Sequence, residues 1–285
     1  ICAVTAAMTE STGLTEFSHT FRSRFFDVGI AEEHAITFCS GLAKNGMLPV
    51  FAGYSTFLQR GYDELIHDAA LQNAKIVLCI DRAGLVGEDG ETHQGVFDAA
   101  FLNTIPNVTI FAPSFYTELC WMLKEAVYQY KGVVAVRYPR GGEPSLPKGY
   151  CAKPEPYSVL GGGGKVLLIT YGRIFANLCR AREALAEKGI EADVLKLNRI
   201  KPIDPQAVQL ARGYRKVFFF EEGIRTGGVA EHFGFVLLSG EFAGSFSLHT
   251  LPDGFIAQST VGSAMKKYHL DAESITQIVE QECEL

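Results

Sequence analysis

Basic residues are not in excess: 26 Lys and Arg stand against 32 Asp and Glu, a formal charge of −6. That leaves no cationic footprint for nucleic acid and no steering toward an anionic membrane. An anionic small molecule would have to be met by local arginines. No apolar stretch reaches the length of a bilayer span. The seven cysteines include no CxxC pair and no regular spacing. Scattered singly in apolar segments, as at Cys39, Cys79, Cys120 and Cys179, they read as buried thiols of a reducing, cytoplasmic compartment. Repeats, low-complexity tracts and a charged leader followed by a cleavable hydrophobic helix are also missing. The chain opens without Met on a strand-like stretch, Ile1–Met8, which suggests part of a longer polypeptide.

What is present suffices for two domains of ordinary size: 285 residues, 47% hydrophobic and 20% charged. Apolar runs at 25–28, 48–52, 76–80, 108–111 and 133–136 read as strands, separated by helical patterns over 32–44, 57–70 and 115–130. Five of the eleven prolines and seven of the 29 glycines crowd into 139–164, and a linker is expected over 144–164. Strands at 166–170, 192–197 and 216–220 and helices near 174–188, 227–238 and 272–281 follow. The alternation predicts an α/β fold of two domains, 1–143 and 165–285, each a mostly parallel sheet flanked by helices.

Open α/β sheets bind ligands beyond the carboxyl ends of their strands. Asp81–Gly95 (DRAGLVGEDGETHQG) follows the strand at 76–80 and carries Arg82, Asp89 and His93 among glycines, a composition poor for packing and suited to a polar substrate. The two-residue spacing of Asp89, Glu91 and His93 resembles a metal cluster. The same groups serve hydrogen bonding or proton transfer, and helical or CxxC metal spacing is lacking, so no metal ligand is assigned. Glu32 and Glu33 open a helix after the strand at 25–28. There they complement the helix dipole, or put one carboxylate into a cleft. Tyr54, Phe57 and Arg60 follow another strand end; an aromatic with an Arg suits a planar ring and an anion, or equally a helix-start contact and a solvated charge. Arg140 ends the last strand of the first domain, as a bidentate phosphate ligand or a linker anchor. Gly161–Gly164 precede a strand instead of opening a helix, and read as linker, not as a phosphate cradle. Glu221–Gly228 (EEGIRTGG) lead into a helix, where paired glycines either bind an anion or allow close packing.

In combination, Phe25–Ala35 (FFDVGIAEEHA), Tyr54–Asp68 (YSTFLQRGYDELIHD), the Asp81–Gly95 loop, Arg137–Gly141 (RYPRG) and Glu221–Gly228 resemble the 1-deoxy-D-xylulose-5-phosphate synthases. These are thiamine-diphosphate enzymes of the transketolase group. The motifs stand in family order and span essentially the whole chain, with Leu251–Thr260 (LPDGFIAQST) a looser match. The resemblance implies a transketolase-type pyrimidine-binding domain followed by the C-terminal domain. In the family, a Gly-Asp-Gly motif with a downstream Asn on a further domain holds the diphosphate through Mg2+. Here Glu88–Gly90 lies in the substrate loop instead. The chain is therefore expected to be the C-terminal part of a synthase or one subunit of a split enzyme. It should be inactive, and a poor cofactor binder, until that domain is supplied in cis or as a separate chain.

Position by position, the resemblance implies that Glu32 hydrogen-bonds N1′ of the aminopyrimidine and thereby promotes deprotonation of the thiazolium, work that needs a desolvated carboxyl. Phe57 would stack on the pyrimidine, with His34 in support. Tyr54, Arg60, Arg82, Asp89, His93 and Arg140 would line the substrate side, Arg82 and Arg140 taking the acceptor phosphate, His93 with Asp89 handling protons. The implied reaction joins pyruvate, with loss of carbon dioxide, to glyceraldehyde 3-phosphate in a homodimer. One departure is Glu33 where Gln is more usual, a second carboxylate that either perturbs Glu32 or faces solvent. Two other functions stay open at this point: a transketolase-like C-terminal subunit with a ketose-phosphate donor, and a non-catalytic dimerisation module.

Overall fold

The computed structural model describes residues 1–284. In chain order the strands are β1 (Cys2–Thr5), β2 (Phe25–Asp27), β3 (Pro49–Tyr54), β4 (Ile76–Asp81), β5 (Val108–Phe111), β6 (Val133–Arg137), β7 (Tyr157–Leu160), β8 (Val166–Thr170), β9 (Ala192–Leu197), β10 (Arg199–Lys201), β11 (Lys216–Ile224) and β12 (Ser245–Leu251). They form a seven-stranded sheet in the order β10-β5-β6-β4-β3-β1-β2 and a five-stranded sheet in the order β12-β11-β8-β9-β7. β10 and β7, one at an edge of each sheet, run antiparallel to their neighbours; the other pairings are parallel. Strands covered on both faces read as continuous apolar runs, and β6 and β8 are buried along their whole length. No helix among the described residues is long and apolar enough to cross a membrane.

Parallel pairing has a direct consequence for function. The carboxyl ends of β2, β3, β4 and β6 all meet one edge of the first sheet, so Glu32, Tyr54, Arg82 and Arg140, each at or just past a strand end, are brought to the same side.

Several elements differ from the sequence expectation. The run at 57–70 is not one regular helix: Ser55–Leu58 is α, Gln59–Gly61 is 3₁₀, Tyr62–Glu64 is α and Leu65–Ala70 is π. The winding changes where the run meets the helix Glu32–Lys44; a Cβ on Gly61 would lie 2.9 Å from Ile36 Cγ1. Inside the segment expected as linker, β7 pairs with β9. The glycines beside it do cradle an anion, but the protein's own: Asp193 accepts from the N–H groups of Gly162, Gly163 and Gly164 at 2.8–3.2 Å. Cys120, expected to be buried, is exposed. The helix Tyr116–Tyr128 buries Glu118, Met122 and Ala126 at four-residue intervals, which turns Cys120 to the opposite face. Cys39, Cys79 and Cys179 are buried and free.

The halves are joined by two devices. β10, from the second half, pairs with β5 of the first sheet, and Lys201 on it donates to the carbonyls of Leu102 (3.0 Å), Asn103 (2.9 Å) and Ile105 at the end of the helix Asp98–Thr104. Lys196 on β9 and Glu118 on the helix Tyr116–Tyr128 form a fully buried ion pair at 2.6 Å. Tyr150 donates to the same carboxylate, and Lys196 also donates to Asn198 Oδ1 at 2.5 Å.

Buried ionisable groups set an expected pH profile. Desolvation lowers Lys75, Lys196 and Lys201 to about 8, with Glu118 partly offsetting this at Lys196. Above that pH the unfolded lysines hold more protons than the folded ones, so stability rises with pH. Desolvation raises Cys79 and Cys179 to about 12 and raises Cys39 further. From pH 9 upward the folded thiols keep protons that the unfolded ones lose, so stability falls. Denaturant midpoints are expected to climb from pH 8 to a maximum near pH 9 and to decline by pH 11. A monotonic fall across that range would overturn the assignment.

Candidate functional site

The turn before Glu32 is held by Asp27, the last residue of β2. Its carboxylate accepts from the N–H of Ala7 (2.8 Å) and Gly29 (3.0 Å) and from the Thr9 hydroxyl (2.9 Å). Burial works against its charge, these donors outweigh it, and its pKa is lowered. Glu32 then opens the helix Glu32–Lys44 with 2% exposure. Its one polar side-chain partner among the described residues is Arg60, whose Nη1 lies 3.4 Å from Oε2. Successive helical residues point about 100° apart, so Glu33 and His34 are exposed. Glu33, the departure from the family pattern, therefore faces solvent. His34 stacks on Phe38 at 6.0 Å and makes no hydrogen bond to the strand-end cluster among the described residues. The structure does not bring it into that cluster.

Beyond β3, the rings of Tyr54 and Phe57 lie nearly parallel with centroids 5.6 Å apart. His93 meets the edge of Phe57 at 5.2 Å and lies 6.4 Å from Tyr54. The Thr92 hydroxyl lies 2.9 Å from His93 Nδ1. The Arg82 guanidinium lies over the Tyr54 ring, 3.7 Å from its centroid. Arg82 adopts φ +60°, a conformation costly for a side chain of this size. Its Nη1 donates to Asp81 at 2.7 Å. Burial raises the Asp81 pKa against the opposing pull of Arg82. The Nε of Arg82 is buried without a hydrogen-bond partner, 3.7 Å from Asp89 Oδ2. The other oxygen of Asp89 is taken by Arg140.

The structure thus gathers Tyr54, Phe57, Arg82, Asp89, His93 and Arg140 around one loop, with the Glu32–Arg60 pair on the same sheet edge. The alternating acids and histidine do not converge as a metal cluster: Asp89 turns to the arginines, His93 to Phe57, and Glu91 is exposed. Among the described residues no group of three or more His, Cys, Asp or Glu is placed to hold a metal ion. The anion site suggested by EEGIRTGG is filled from within: Glu221 accepts from the N–H of Val229 (3.0 Å) and Ala230 (2.7 Å) at a helix N-terminus. Sequence reasoning did not single out Arg173, Glu222 or Gln258, which touch the loop from the second half. The doubled acid of EEGIRTGG was the available signal for Glu222.

Residues 1–144 match the transketolase pyrimidine binding domain, and residues 157–275 the transketolase C-terminal domain. A 1-deoxy-D-xylulose-5-phosphate synthase of Clostridium beijerinckii is 42% identical over 283 residues, 98% of this chain and 46% of that protein. The same-named protein of Symbiobacterium thermophilum is 44% identical over 289 residues, 98% of this chain and 44% of that protein. The chain spans less than half the length of these relatives. Among solved structures, a split gene transketolase described as an inactive beta4 tetramer superposes with TM-score 0.85 at 25% identity, covering 98% of this chain and 91% of that one. Transketolase of Campylobacter jejuni superposes with TM-score 0.82 at 15% identity, covering 98% and 43%, a likeness of fold alone.

Proposed function

The chain belongs to the transketolase family, of which it carries the pyrimidine-binding and C-terminal domains, and from that premise we propose that it is the pyrimidine-side half of a thiamine-diphosphate-dependent synthase. The reaction joins pyruvate, with loss of carbon dioxide, to glyceraldehyde 3-phosphate, giving 1-deoxy-D-xylulose 5-phosphate. The enzyme works as a homodimer with a diphosphate-binding domain held in cis or on another chain, and Mg2+ resides on that domain. The names carried by the synthase relatives support the choice of substrates. The fit to the split gene transketolase is compatible with either arrangement.

One observation carries the cofactor assignment. A carboxylate buried to 2% exposure, with a single 3.4 Å partner, stands on the same strand-end edge as a wall of aromatic rings. Buried acceptors call for donors, and an aminopyrimidine offers both a ring nitrogen and a flat face. When bound, thiamine diphosphate supplies a sink for the electron pair left as carbon dioxide departs. Glu32 holds a proton at the pyrimidine N1′, and burial keeps water from competing for it. Phe57 and Tyr54 orient the ring and exclude solvent. His93, fixed by Thr92 and Phe57, moves a proton at the donor's oxygen atoms. Arg82, with its unpartnered Nε, and Arg140 bind the acceptor phosphate, while Asp89 bridges the two guanidinium groups and offsets their mutual repulsion before substrate arrives.

The test supplies the missing half: a family diphosphate-binding domain with Mg2+, added to this chain and assayed for carbon dioxide and pentulose phosphate. Product is expected only with both polypeptides and with pyruvate. Calorimetry on the chain alone is expected to show weak cofactor binding that does not respond to Mg2+. Tight, Mg2+-dependent binding to this chain alone, or consumption of a ketose phosphate in place of pyruvate, would overturn the proposal.

A further inference from the structure

The loop that gathers Asp89 and His93 is closed and seated by residues from the other sheet. At its neck the N–H of Gly84 donates to Gly95 O at 2.6 Å, and the N–H of Gly95 donates to Gly84 O at 2.8 Å. Neither neck position has room for a side chain. A Cβ on Gly84, at φ +84°, would lie 2.5 Å from the Glu222 carboxyl carbon; one on Gly95 would lie 2.0 Å from Arg82 O. The next residue, Leu85, has both of its main-chain polar groups bonded by one ion pair. Its N–H donates to Glu222 Oε1 at 2.6 Å, and its carbonyl accepts from Arg173 Nη2 at 2.5 Å. Arg173 Nε bonds back to Glu222 Oε1 and Oε2 at 3.1 and 3.0 Å. The pair, one residue on β11 and one at the start of the helix Ile174–Glu187, offers an acceptor and a donor as a neighbouring strand would. On the far side of the loop, Gln258 Nε2 donates to Glu88 O at 2.9 Å, and a Cβ on Gly87 would fall 2.7 Å from Ser259 O.

We propose that Arg173 and Glu222 of the C-terminal domain are positioning residues for the substrate loop, setting where Asp89 and His93 stand without touching substrate themselves. This role rests on the functional reading above. An ion pair serving only to join the domains would have no need to bond both main-chain polar groups of a loop residue four positions before Asp89. By fixing the first turn of the loop, the pair fixes the direction in which the remaining residues leave the neck. Asp89 then reaches Arg140 and His93 reaches Phe57. Glycine-rich loops are mobile unless tied down, and orientation of reacting groups is lost steeply with small displacements.

The experiment compares Glu222→Gln, Arg173→Lys and Gln258→Ala with the parent chain by amide hydrogen exchange, and by steady-state kinetics after the diphosphate-binding domain is supplied. The first two variants are expected to speed exchange over 85–95 by about tenfold or more while β4 and β11 exchange as before. In the reconstituted enzyme KM for the substrates should rise about tenfold with cofactor affinity unchanged. Gln258 is exposed, so Gln258→Ala probes the same contact without disturbing buried charge; it is expected to loosen Glu88–Gly90 alone. Unchanged loop exchange in all three, a rise spread evenly through both sheets, or KM and cofactor affinity moving together would overturn the proposal. A parent chain that makes no product, with the variants still loosening the loop, would remove the functional reading and leave the clamp standing.

Discussion

Replacing Glu32 with glutamine is expected to lower turnover of the reconstituted enzyme by about 10²–10⁴-fold, the span contributed by a positioned acid–base group. The argument is geometric. Glutamine keeps the volume and one acceptor oxygen of the buried side chain but loses the negative charge that favours a protonated ring nitrogen. The chain should fold as before, because the buried Glu32 carboxylate has only the long 3.4 Å contact to Arg60, and a neutral amide costs less to bury than a charge. Arg60→Ala should consequently cost far less in rate than Glu32→Gln. The measurement is single-turnover carbon dioxide release, paired with deuterium exchange at the thiazolium carbon of bound cofactor, which should slow in parallel. A Glu32→Gln enzyme with near-parental turnover would remove the carboxylate from the chemistry.

Glu118→Ala is expected to have the largest effect on stability. Removing one member of a buried ion pair strands the other, at roughly 3–5 kcal/mol. Here Lys196 would lose its counter-charge with no exposure to water at all, and the Ser114 N–H and the Tyr150 hydroxyl would lose their acceptor. For a chain of this size the loss corresponds to roughly 6–20 °C in Tm. The double variant Glu118→Leu with Lys196→Met should recover much of it, since an apolar replacement leaves no stranded charge. Scanning calorimetry of the three proteins decides the matter: if Glu118→Ala melts within a degree or two of the parent, the pair is not the fastening between the halves that its burial implies.

The parts of the fold legible in the sequence were those whose signal is local. The apolar runs of β4, β6 and β8 could be placed from composition alone, and the helix opening at Glu32 ended at Lys44 where its periodicity stopped. β10 and β7 escaped because three or four residues of mixed character carry no period, and their pairing depends on distant strands. The exposure of Cys120 was available from the four-residue spacing of Glu118, Met122 and Ala126, yet a buried glutamate is a poor marker of a core face until its lysine is known. At the site, motif resemblance nominated the six loop-side residues, which stand around one loop, and also His34, which the turn of the helix points outward onto Phe38. Arg173 and Glu222 were out of reach for a plainer reason: 137 residues separate Glu222 from the peptide it holds, and no local window links them.

β10 bears on how the molecule is made. β5 ends at Phe111, but the strip that closes its open side finishes at Lys201, ninety residues later. At roughly 5–20 residues per second, a ribosome needs about 5–18 s to deliver that strip. Throughout the interval the nascent first sheet presents a bare row of amides and carbonyls.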